Sequence, residues 1–136
     1  MSPQPIIHFW FSELTPQQHF AKDATLDESI RTRFGPTLGA AARCELFPWR
    51  ATPDGRLAEI LVLDQFSRNV YRDTARAFAQ DALALALAQE LVASGQDRNL
   101  PTAQRVFAYM PYMHSESALI HEQALELFAQ PGMENN

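Results

Sequence analysis

The sequence predicts an all-α fold built from antiparallel helical hairpins. Helix-start signals recur from one end to the other, apolar residues repeat at helical spacing, and period-two alternation with dense Val, Ile and Thr is nearly absent. A chain of 136 residues is a common size for one domain and can bury roughly two-thirds of its unfolded surface. The expectation is a single helical domain over residues 1–136, with one core.

The elements follow in order. Ile6 to Phe11 is a compact apolar segment, and Thr15-Pro16-Gln17-Gln18 then reads as N-cap, Pro at the first helical position and Gln at the third. Thr25-Leu26-Asp27-Glu28 reads as a capping box for a helix from Leu26 to Phe34. Gly35-Pro36 interrupts that helix, because a residue before proline is pushed from helical angles, and Pro36 opens a further turn toward Arg43. A loop through Phe47-Pro48-Trp49 and Thr52-Pro53-Asp54-Gly55 leads into a central helix from Arg56 to Tyr71. Asp73 or Thr74 caps a helix that runs to Val92 and stops at Ser94-Gly95. Its apolar residues fall in two stripes on nearly opposite sides, Phe78, Leu85 and Val92 against Leu83, Leu87 and Leu91, so neighbours should sandwich it. Leu100-Pro101 opens a helix that Pro111 breaks, and the last helix covers His114 to Ala129.

Composition excludes several classes of function. A formal charge of -5 does not suit a surface that neutralises nucleic-acid phosphates. The longest alanine and leucine run, Ala82 to Ala88, is far short of the roughly 20 apolar residues that span a bilayer. The N-terminus has no basic residue ahead of its short apolar stretch, so a secretory signal is not expected. A single cysteine, Cys44, rules out an internal disulfide and points to the reducing cytoplasm; it reads as a buried thiol near a helix end. No glycine-rich phosphate loop is present, and His114 and His121 are too far apart on one helix to chelate an ion, so no metal or other cofactor is expected. Of the 11 basic residues only Lys22 is Lys. That bias either permits internal arginine networks or reflects a GC-rich genome.

The chemistry concentrates on the central helix. At 100° per residue Leu57, Ile60 and Leu61 share a stripe that Asp64, Arg68, Tyr71 and Arg72 continue, while Val62, Leu63 and Phe66 cover the other sides. A buried stripe therefore turns ionic halfway along. Arg68, Arg72 and Arg76 repeat every four residues after Asp64, so three guanidiniums face one carboxylate, with Gln65 and Asn69 beside them. Such a ladder needs further anions, from another helix, from helix-end carbonyls or from a ligand. Glu116, next to His114 and Ser115, is the internal candidate. Either Asp64 and Glu116 close a network that pins helices together, or Arg68 and Arg72 clamp a carboxylate or phosphate with His114 as acid or base.

Two long strings carry a resemblance. Leu63-Asp64-Gln65-Phe66-Ser67-Arg68-Asn69-Val70-Tyr71-Arg72, followed by Thr74-Ala75-Arg76-Ala77-Phe78-Ala79, and Tyr109-Met110-Pro111-Tyr112-Met113-His114-Ser115-Glu116 are similar to an uncharacterised bacterial domain-of-unknown-function family. Phe9-Trp10-Phe11, Arg33-Phe34-Gly35 and Gly55-Arg56-Leu57-Ala58 extend the likeness from Ile6 to Phe128. The resemblance implies a tetratricopeptide-like helical fold and supplies no activity. Its signature falls on Asp64, Gln65, Arg68, Asn69, Arg72, His114, Ser115 and Glu116. Two departures stand out. His8 occupies a position where the family leads one to expect an acid, and the family continues into a further helical segment where this chain stops, which would leave an apolar face bare and favour a homodimer or reduced stability.

Two functions are therefore expected. The first is a helical-repeat-like binding or scaffold module that presents a groove to a protein or peptide partner. The alternative is a small enzyme or metabolite-binding protein for an anionic substrate: Arg68 and Arg72 as clamp, His114 as acid or base, Asp64 and Glu116 as orienters, and Gln65, Asn69 and Ser115 in contact with substrate.

Overall fold

In the computed structural model, which describes residues 1–133, the N-terminal apolar segment winds into α1 (Gln4–His8) and runs on as a π-turn, Phe9–Glu13. The turn drives Trp10 fully into the core. Helix α2 (Pro16–Phe20) starts where the spacing predicts, with Gln18 Oε1 accepting from the Thr15 N–H at 2.7 Å. The described residues contain no strand, so the all-α class holds.

Helix α3 (Ala24–Ala42) differs from expectation twice. Its cap is Asp23, whose Oδ1 accepts from the N–H groups of Thr25 and Leu26 at 3.0 and 3.1 Å. Thr25 therefore lies inside the first turn, and Glu28 pairs with Arg31 instead of reaching back. Pro36 does not interrupt the helix. The steric conflict of a pre-proline residue involves its Cβ, and Gly35 has none. Pro36 and Thr32, whose carbonyl loses its partner, both face solvent, where water can serve instead. Beyond α3 the backbone turns through Cys44 at φ 60. The turn leaves that thiol exposed, which corrects the expectation of a buried one.

A 3-10 turn, Phe47–Ala51, precedes α4 (Pro53–Leu61), where Thr52 Oγ1 accepts from the Gly55 N–H at 3.0 Å. A Cβ on Gly55 would fall 1.9 Å from the Trp49 carbonyl oxygen, so only glycine fits. The rod does not end at Leu61. It passes through a π-turn, Val62–Phe66, into α5 (Ser67–Val70) with right-handed helical angles throughout. Leu57, Ile60, Leu61, Val62, Leu63 and Phe66 are all fully buried, as a helix apolar on every side requires. Phe66 stacks on Phe34 at 5.3 Å and meets Phe9 and Trp10, which joins the N-terminal segment and α3 to the rod.

The helix expected from Ala75 is two pieces, a 3-10 turn at Ala75–Phe78 and α6 (Asp81–Ala93). The break turns Phe78 out to solvent. Ala84, Leu87, Ala88 and Leu91 form the buried face of α6, while Leu83, Leu85 and Val92 are half-buried, so the helix has one dominant face and not two equal ones. Helix α7 (Thr102–His114) passes through Pro111, held by packing against α4, α6 and α8 (Ala118–Phe128). His114 consequently closes α7 rather than opening the last helix, which Ser117 caps. Tyr109 meets Phe128 edge-on at 5.8 Å and Arg105 reaches Gln130, so α7 and α8 form an antiparallel hairpin. No described helix is long and apolar enough to cross a membrane.

Candidate functional site

Asp64 lies in the π-turn of the central rod with none of its side chain exposed. A buried carboxylate needs donors, and three reach it. Oδ1 accepts from Arg68 Nη1 at 3.0 Å and from His114 Nδ1 at 2.8 Å, and Oδ2 accepts from Gln65 Nε2 at 3.0 Å. Because a carboxylate only accepts, Nδ1 carries the proton of this bond. In the neutral ring Nε2 is then left as an acceptor, the arrangement by which a carboxylate fixes an imidazole for proton transfer.

The expected ladder of three guanidiniums on one carboxylate does not form. Arg68 is on the rod, but the helix ends at Tyr71, and Arg72 and Arg76 leave along the turn made by Asp73 at φ 66. Each arginine takes its own partner. Arg68 forks onto Asp81 at 2.8 and 2.9 Å while retaining Asp64, with Phe78 against its guanidinium at 5.3 Å. Arg72 forks onto Asp27 of α3 at 2.7 and 3.1 Å, and Asn69 Nδ2 donates to the same carboxylate at 2.9 Å. Arg76 covers the Tyr71 ring at 4.1 Å and donates to its hydroxyl. The internal anions are therefore Asp27 and Asp81. Glu116 is exposed.

These pairings tune charge. Burial acts to raise the Asp27 pKa, but hydrogen bonds from Arg72 and Asn69 and the charges of Arg72 and Arg31 outweigh it and hold the carboxyl below its ordinary range. The same bond from Asp27 raises Arg72 above the usual guanidinium value, against the effect of burial.

Two hollows meet at Arg68 and His114, which line both. The smaller, of ≈ 190 Å³, presents His19, Gln65, Asn69 and Arg72 beside them, together with Phe20, Ala21 and Met110. Among the described residues no carboxylate lines it. The larger, of ≈ 700 Å³, carries Phe78, Asp81, Leu85, Pro111, Ser115 and Glu116. The structure thus brings Asp64, Gln65, Arg68, Asn69, Arg72 and His114 together, with Ser115 and Glu116 on the far side of Arg68 and His114. Ser115 Oγ accepts from the Ser117 N–H at 3.1 Å at the start of α8. His8, at the position where an acid was expected, lies away from the cluster, 3.7 Å from Glu13.

Three contributors were missed in the sequence. Asp27 falls in register with Ile30, Phe34 and Leu38, an acid on a buried helical stripe, and Asp81 heads the stripe of Ala84, Ala88 and Leu91; that register was the available signal. His19 had none. It stacks on Trp10 at 4.7 Å with its Nε2 2.7 Å from the Trp10 carbonyl oxygen, a contact between separate elements that local pattern does not encode.

Fold and site together define an all-α protein with an Asp and His pair and two arginines around a carboxylate-free hollow. The chain belongs to the family described as bacterial protein of unknown function, DUF924, whose model matches residues 6–136. Among solved structures it is similar to a protein of unknown function, ATU0120, from Agrobacterium tumefaciens, at 37% identity and a TM-score of 0.89, over 93% of this chain and 71% of that one. No curated protein matches it.

Proposed function

We propose that this protein binds a small carboxylate or phosphate compound in the smaller hollow and acts on it by proton transfer through His114. One observation carries the reading: Arg68, Arg72, His19, His114, Gln65 and Asn69 line a hollow of ≈ 190 Å³ whose described lining holds no carboxylate, the acids that pair with them lying behind its wall. Arg72 uses Nε and Nη2 on Asp27, which leaves Nη1 for a ligand, and His114 uses Nδ1 on Asp64, which leaves Nε2. The roles follow. Arg72 and Arg68 clamp the anion, Gln65 and Asn69 orient it, Asp64 fixes the imidazole, and His114 gives or takes the proton. Ser115 and Glu116 belong to the larger hollow, where a second reactant would approach the same imidazole.

A tetratricopeptide-like scaffold that takes a peptide, or a homodimer, is the second reading. The exposed Leu119 and Leu125 on α8 favour it. The convergence of polar side chains on one small hollow weighs for a small ligand. We place the protein in the cytoplasm, where its one exposed thiol would stay reduced, and read it as one domain.

Thermal unfolding against a panel of phosphates and carboxylates tests the reading. An anion at ten times its dissociation constant adds about 1.4 kcal/mol to the folded state, on the order of 5 °C in Tm for a chain of this size. The shift should vanish in Arg72→Ala. If no anion moves the wild-type midpoint while Arg72→Ala lowers it strongly, the cluster is structural and the proposal is wrong.

A further inference from the structure

Phe20 and Met110 line the smaller hollow and also an apolar groove of ≈ 390 Å³, which they form with Val106, Met113, Leu125 and Phe128. The two spaces adjoin at a phenyl ring and a thioether. That boundary is positioned, because Phe20 stacks on Phe107 at 5.8 Å with an interplanar angle of 15°. By contrast, the larger hollow meets the smaller one at Arg68 and His114, and hydrocarbon passing that way would strip water from a guanidinium. Among the described residues no charged side chain lines the groove, yet Phe20, Met113 and Leu125 are 68%, 49% and 71% exposed. Apolar surface of this extent, adjoining a cluster of hydrogen-bond donors, matches a molecule with both characters.

We infer that the ligand is an amphiphilic anion, with a carboxylate or phosphate head between Arg72 and His114 and a hydrocarbon tail that crosses Phe20 and Met110 into the groove. This rests on the anion reading above and adds the tail. Charge complementarity fixes the orientation, since the donors are at one end only. Met110, adaptable in shape, suits a tail of variable form.

Calorimetric titration of the full chain tests this with acetate, octanoate, inorganic phosphate, butyl phosphate, octyl phosphate and octanol. Affinity should rise roughly fourfold for each methylene buried, the carboxylate and phosphate series should show which head is preferred, and octanol, without a head, should bind far more weakly than either octyl anion. The double variant Met113→Gln, Leu125→Gln changes two exposed positions to good helix formers, so its fold should persist. It should flatten the dependence on chain length and leave acetate and phosphate binding unchanged. Affinity independent of chain length, with the small anions still bound through Arg72, would overturn the tail and leave the anion site standing. Binding of no anion at all would overturn both. A dimer in sedimentation that the double variant dissociates would show that a second copy fills the groove, and would also overturn the inference.

Discussion

Asp27 is the residue on which the arginine problem turns. Without it, Arg72 and Asn69 would face the interior with no acceptor; with it, two elements 45 residues apart in sequence are joined by a forked ion pair. Its lowered pKa makes the pair a source of stability with a defined pH dependence. A carboxyl depressed in the folded state contributes fully above the unfolded Asp value, about pH 4, and the contribution is lost as pH falls through the lower folded value. Asp27→Asn should therefore cost about 2 kcal/mol at neutral pH, below the range for a fully buried pair because Arg72 is 28% exposed. The difference from wild type should shrink in urea titrations taken below about pH 4. A difference constant from neutral to acid pH would show that the charge of Asp27 is not what stabilises. The sequence contained this acid, but as part of a supposed capping box. Helical register with Ile30 and Phe34 shows it facing inward, and only the fold shows which cation meets it.

At the level of elements, the sequence revealed that the chain is helical far better than where each helix starts and continues. Thr15 is legible as a cap because a cap is a local hydrogen bond, whereas Thr52 reads as part of a loop and Ser117 as inside the last helix, and both cap helices. Pro36 and Pro111 read as breaks, and both are traversed, because local preference yields to packing along the whole helix. The π-turns at Phe9–Glu13 and Val62–Phe66 were not legible at all. One inserted residue has no compositional mark, yet it sets the angle at which Asp64 leaves the rod toward α7. Pro36 offers a direct test. Alanine restores the N–H that the Thr32 carbonyl lacks and removes a helix-interior proline worth about 3 kcal/mol. Against this stand the greater freedom of the unfolded chain, 0.4–1 kcal/mol, and the relief that Gly35 and solvent already provide. Pro36→Ala should thus stabilise by about 1 kcal/mol, raising Tm by roughly 3–5 °C. A lowered Tm would mean that the proline supports α3 in a way its exposed position does not suggest.

Across the whole molecule, the ionic system on the central rod has two separate parts, one joining Arg72 to Asp27 of α3 and the other joining Asp64 and Arg68 to Asp81 at the start of α6 and His114 at the end of α7. Its members do not contribute alike. The Arg72 and Asp27 pair and the Arg68 forks are each made of two or more bonds, and breaking one strands a desolvated charge. His114 is tied by one bond, at the end of a helix whose position Tyr109, Tyr112 and Val106 already secure in the core. A network that only held helices together would have little use for an imidazole with one nitrogen open between two hollows. Stability and function should therefore separate at His114. His114→Gln keeps a donor for Asp64 and should change stability by no more than about 0.5 kcal/mol, within roughly 2 °C in Tm, while weakening the stabilisation by carboxylates or phosphates. The opposite result, a large fall in Tm with the anion response intact, would make His114 a structural tie between α7 and the rod, and would leave Arg72 as the functional centre of the hollow.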